Sequence, residues 1–215
     1  MRRSSESFNM FGGERLNEFF FKRNPTIQEA IHREAEDYIL NVNETEYINY
    51  LVQMFEFDIP HIDFDSTSVS DYETQISPYD YPEHFHFHFA SRSATKVDKQ
   101  VVVYHLPFTG DSELFRYAPS QHKMLYPEVF IEDHAVCFKI INFTNSSADI
   151  QREASSIFDS IKFNSQILIN DLTAYNAQLP WQVEQIFKIR KQKLLDNKNI
   201  LASLGVPLPT RCATR

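Results

Sequence analysis

Glycine is scarce in this chain, with four among 215 residues. Phosphate-cradling loops need glycine where the backbone turns tightly against a ligand, so the scarcity excludes most nucleotide-binding fingerprints. The one Gly-Gly pair, Gly12-Gly13, has no strand pattern ahead of it. Cysteine is sparser still. Cys137 sits in a hydrophobic, strand-like run and Cys212 in a polar tail, which reads as one buried thiol and one exposed thiol in a reducing compartment. No run of about 18 apolar residues exists to span a membrane. The positive N-terminus, Met1-Arg2-Arg3, is followed by no apolar stretch of the secretory kind. These absences point to a cytoplasmic protein with no membrane partner.

What is present is ordinary in bulk. Hydrophobic residues make up 42% and charged residues 23%, the balance of a globular chain. Nineteen Phe and ten Tyr are the unusual part. The net charge of −8 is unevenly spread: fourteen acidic residues and one basic lie between Ile27 and Glu83, whereas seven basic and two acidic lie from Trp181 to Arg215. Two solvated faces are the ordinary explanation. The functional one is a basic end that meets phosphate or an acidic protein. A dedicated nucleic-acid binder would carry basicity across the whole domain, which is missing here.

Helical patterns come first. Glu14 to Lys22 is apolar on one side, and Asn24-Pro25-Thr26 breaks it. Thr26 with Glu29 resembles a capping box for a helix to about Leu40, and a third helix starts near Asn43 and ends before Pro60. The period then switches to two, in Ile62 to Asp65 and Glu83 to Phe89. Val101 to Tyr104 reads as a buried strand, and Val129 to Ile131 and Ala135 to Ile141 flank a turn at Glu132-Asp133-His134. The short spacings leave no room for crossover helices, so an antiparallel sheet of about five strands is expected. From Ile150 onward an apolar residue recurs every third or fourth position, with Asn164 as an interruption. Asn176 to Pro180 reads as a bend, and Gly205 with Pro207 as the stop. The expected architecture is α+β: a domain over residues 1–145, with helices in about 14–57 and strands in about 61–143. A long antiparallel helical hairpin over 146–205 follows, packed on the sheet or projecting as a coiled arm, with a tail over 206–215.

Few residues form a pattern that carries chemistry. In His84-Phe85-His86-Phe87-His88-Phe89 a strand would place three imidazoles on one face and three phenyls on the other. Two such His can hold zinc or iron when a third ligand arrives, and His61, Asp63, Asp65 and His105 are the candidates. The plainer explanation is a phenyl core face with histidines toward solvent. Asp63 and Asp65 share a strand face as an acid–base or metal pair, or else as a charged edge. No Glu-x-Lys or Asp-x-Lys stands on a strand pattern, so the metal-binding core of a restriction-type nuclease is missing. Neither cysteine sits at a nucleophile turn. Gly110 supplies a permissive turn, and Asp111 with Ser112 caps the short segment after it. Trp181 is expected as a packing anchor or a partner contact. Lys188, Arg190, Lys191, Lys193 and Lys198 form a basic run, either a solvated face or a contact for phosphate or an acidic partner. No catalytic set is complete.

The run Tyr104-His105-Leu106-Pro107-Phe108-Thr109-Gly110-Asp111, with Leu114 to Tyr117 and Pro119-Ser120, resembles a strand-turn motif of a poorly characterised set of bacterial proteins. The ending Arg190 to Leu195 and Leu201 to Leu208 is similar to the same set. In those proteins this region is N-terminal, and a restriction-endonuclease-like domain or another effector follows. The resemblance, over roughly residues 100–208, implies a non-catalytic sensor, scaffold or oligomerisation module of an anti-phage defence system, with a homo-oligomer or an effector nuclease as partner. It carries over no catalytic residue, because the effector would begin where this sequence stops. The residues leave two rivals: a metal-dependent enzyme on His84, His86 and His88, and nucleic-acid binding through the basic hairpin end.

Overall fold

The computed structural model describes residues 6–77 and 96–203. In order, the chain forms β1 (Phe8–Asn9), α1 (Leu16–Arg33), α2 (Glu36–Asn41), α3 (Glu44–Phe55), β2 (His61–Ile62), β3 (Ser68–Ile76) and β4 (Val97–Thr109). A short 3-10 turn (Ser112–Arg116), β5 (Glu128–Glu132), β6 (Ala135–Ile141) and α4 (Ser147–Ser203) complete it. The fold is α+β, with antiparallel strand pairing.

The continuous apolar run Val101-Val102-Val103 is buried whichever face each side chain takes, as a central strand requires. One edge of β4 pairs with β6, from Val101 opposite Ile141 to Pro107 opposite Ala135. The other edge carries β3 and then, further along, β2. Beyond β6 lie β5 and β1. The β5–β6 hairpin turns on Asp133 and His134, whose φ angles of 48° and 59° have the handedness a two-residue hairpin loop needs. Gly110, at φ 82°, brings its backbone against Ile59, and an added Cβ would meet Ile59 O at 2.4 Å. Asp111 then accepts from Glu113 N–H at 2.9 Å, capping the 3-10 turn as expected.

The register sends Tyr104, Leu106, Val136, Phe138 and Ile140 to one face of the sheet. There the Tyr104 and Phe138 rings stack at 4.9 Å, and Phe158 of α4 meets Tyr104 edge-on at 5.5 Å. On the other face Val101, Val103, Ala135 and Cys137 form a second cluster, with Phe130 and Ile141 against it.

Helix α4 corrects the sequence reading. Where an antiparallel hairpin over 146–205 is expected, Ser147–Ser203 forms one continuous helix of 57 residues, and the expected bend at Asn176 to Pro180 lies inside it, while the expected stop at Gly205 with Pro207 lies outside the described residues. The same correction applies to the break at Asn24-Pro25-Thr26, since α1 runs through Pro25. The physical reason is the phase of the apolar stripe. Leu168, Leu172, Tyr175, Leu179, Val183 and Phe187 are all buried at steps of three and four, so helical burial continues in register across the proline. Ile27 and Ile31 likewise stay in phase with Leu16 and Phe20. Both prolines are exposed, so water can hydrate the carbonyl left without its N–H donor.

Strand β3 has no counterpart in the sequence reading. Nearly all its side chains are exposed, so no inward–outward alternation marks it; its pairing with β4 over nine residues defines it. By contact the chain divides into Met1–Asn17 with Asp58–Leu172, which holds the sheet, and Glu18–Phe57 with Thr173–Arg215, which is helical. Among the described residues, no helix is long and apolar enough to cross a membrane.

Candidate functional site

His84, His86, His88 and Cys212 lie outside the described residues. Asp63 and Asp65 do not form a strand-face pair, because β2 ends at Ile62. Asp63 instead closes a turn, accepting from Asp65 N–H at 3.1 Å, Ser66 N–H at 3.2 Å and the Ser66 hydroxyl at 2.6 Å. The Ser66 bonds hold its carboxyl below the usual carboxylate range.

Sequence reasoning named His105 and passed over its partner. His105 on β4 lies directly opposite Cys137 on β6, and Cys137 opposite Phe130 on β5, with Glu132 two residues further along the same face. Side chains at such paired positions stand about 4.5–5.5 Å apart at Cβ. Here the Cys137 sulfur lies 3.2 Å from His105 Nδ1, while His105 Nε2 lies 2.7 Å from the Ser70 hydroxyl on β3. The potential ligand atoms of His105, Glu132 and Cys137 all lie within 4.8 Å of one another. Cys137 is fully buried, whereas His105 and Glu132 are half-buried. Burial, then the charge of Glu132, pushes the thiol up to about 11. An unassisted Cys137 is therefore a protonated thiol, not an activated nucleophile.

A cleft of about 720 Å³ lies in the sheet-containing unit, lined by the end of β6 and the first turns of α4. Asp149 in it is held by Thr144 Oγ1 at 2.8 Å and Arg152 at 3.1 Å. Burial raises the carboxyl of Glu153. No nucleophile–base pair accompanies these groups among the described residues lining the cleft.

In the helical unit, most of the basic run is engaged. Lys188 pairs with Glu184 at 2.6 Å, Lys191 with Glu44 at 2.6 Å and Lys198 with Asp37 at 3.4 Å. Lys193 has no carboxylate partner among the described residues. Trp181 does not anchor a core: it is 65% exposed. At about 100° per residue, Trp181, Lys188, Gln192 and Leu195 fall on the side of α4 opposite buried Val183, Phe187 and Leu194, and Ile189 and Ile200 flank them. Ile189 is 69% exposed and Ile200 60%. Tyr38 and Tyr50 are also exposed, each with its ring against that of buried Tyr47.

No family model, curated protein or solved structure matches the chain.

Proposed function

We propose that this chain is a non-catalytic interaction module whose α4 outer face, in the helical unit, associates with a second copy of itself. One observation carries the reading: Trp181, Ile189 and Ile200 are each more than half exposed and share one side of a single helix. Scattered surface apolar residues need no explanation, but an aligned set on one element marks an association face, and tryptophan is over-represented at the energetic centres of such faces.

A second copy is favoured over nucleic acid by the charges. Three of the four lysines considered as phosphate contacts are neutralised by carboxylates of the same unit, which weakens the field a phosphate backbone would meet. A two-fold interface needs only a self-complementary patch. The resemblance of Tyr104 to Asp111 and Arg190 to Leu208 to the N-terminal region of defence proteins supplies the context: a sensor or scaffold for a restriction-like nuclease.

The test is native mass spectrometry with sedimentation on the wild type and on Trp181→Ala combined with Ile189→Asp. A wild-type dimer that the double variant converts to a folded monomer supports the reading. A wild type that stays monomeric at tens of micromolar sinks it.

A further inference from the structure

We infer that His105, Cys137 and Glu132 form a site for one divalent metal ion of the zinc type, pinned across β4, β5 and β6. The ligands are His105 Nδ1, the Cys137 sulfur and a carboxylate oxygen of Glu132.

The geometry suits such an ion. With Zn–S about 2.3 Å and Zn–N about 2.0–2.1 Å, a tetrahedral sulfur–nitrogen pair lies about 3.5 Å apart. The Cys137 sulfur and His105 Nδ1 are 3.2 Å apart without an ion, and all three ligand atoms fit within 4.8 Å. Small side-chain rotations close the site, because adjacent paired strands already fix the three Cβ positions. A thiolate, an imidazole and a carboxylate together select a borderline-soft cation over magnesium or calcium.

The surroundings fit as well. A metal-ligating histidine almost always hands its other ring nitrogen to a hydrogen-bond partner that fixes tautomer and orientation. Ser70 Oγ stands 2.7 Å from His105 Nε2 and fills that role. Lys139, on the same face, turns its Nζ over the Phe130 ring at 4.8 Å. Two of the three ligands are half-buried, which gives the ion an entry path and leaves a fourth position for water. On binding, the Cys137 thiol loses its proton to solvent as the sulfur–metal bond forms, so charge and protons balance.

The experiment titrates metal-free protein with Co²⁺, reading absorption, and then with Zn²⁺, reading native mass and melting temperature. One ion per chain, a thiolate-to-cobalt charge-transfer band and a raised melting temperature are expected. Cys137→Ser abolishes the band. Ser70→Ala, which touches no ligand atom of the ion, weakens binding about tenfold or more. Because Cys137 is buried, half-buried Glu132→Gln is the second variant, with circular dichroism confirming its fold; it retains the band with weaker affinity. The triple variant of His84, His86 and His88 to Gln keeps one ion. Absence of stoichiometric metal, a cobalt spectrum without the thiolate band, or loss of the ion only in the triple-histidine variant overturns the site. These readouts do not depend on dimerisation.

Discussion

The side-chain amide of Asn176 holds the backbone of Phe57 at both of its polar atoms: Asn176 Oδ1 accepts from Phe57 N–H at 3.0 Å, and Asn176 Nδ2 donates to Phe57 O at 2.9 Å. Twelve residues earlier on the same helix, Asn164 repeats the device on Lys123, accepting from its N–H at 2.8 Å and donating to its carbonyl at 3.4 Å. Ser160 and Asp171 extend the second grip, through Leu125 O and through the N–H and hydroxyl of Ser120. Irregular segments cannot satisfy their own backbone groups, and α4 satisfies these for them.

Asn176→Ala removes both partners of Phe57 at a half-buried position. An orphaned buried donor or acceptor costs about 1–3 kcal/mol, so a loss of about 2 kcal/mol or more is expected. Urea unfolding reads it as a lower midpoint at unchanged slope. Asn176→Asp should do no better, since it turns a second acceptor onto Phe57 O. A midpoint unmoved by either change would show that the grip contributes nothing.

Pro180→Ala should raise stability by about 1–3 kcal/mol. The proline withholds a hydrogen bond in mid-helix, and the gain is reduced by the extra freedom alanine gives the unfolded chain. A helical hairpin that bent at this point would respond oppositely, because proline would then support the turn. The sign of the change therefore decides between one helix and two.

Tyr47 gives a pH-dependent prediction. Burial, followed by the charge of Glu34, pushes its hydroxyl up to about 12. The folded protein thus keeps a proton that the unfolded chain releases from about pH 10, so stability from this group is complete below that value and declines as pH rises toward about 12. Tyr47→Phe should flatten this alkaline decline. It should also add about 1 kcal/mol near neutral pH, because the buried hydroxyl finds no partner among the described residues. Urea midpoints at neutral and alkaline pH check both, and parallel pH profiles for the two proteins would contradict the first.

Much of this fold was legible where packing imposes a period. The stripe from Ala154 to Phe187, the buried run at Val101 and the turn at Asp133-His134 all follow from alternation or helical spacing. Pro25 and Pro180 misled because local backbone preference costs a few kcal/mol at most, while a stripe in phase buries many side chains. Strand β3 was illegible for the opposite reason: its side chains are exposed, and only pairing with β4 defines it. The Asn164 interruption was visible, but the Lys123 backbone it serves lies 41 residues away. His105 was named as a possible ligand, yet its apposition to Cys137 depends on the register between β4 and β6, which no local pattern sets. Trp181 was noticed for its chemistry, and its exposure follows from the helix continuing through Pro180.

The two asparagine grips also bear on how this sequence can drift. Only a primary amide presents a donor and an acceptor side by side, as a peptide group does, and among the coded residues only asparagine and glutamine carry one. A single base change in an asparagine codon yields lysine, threonine, serine, isoleucine, aspartate, histidine or tyrosine, never glutamine. Every first-step missense change at Asn164 or Asn176 therefore dismantles a paired hydrogen bond. Along α4, these two codons have no neighbouring synonym in chemistry.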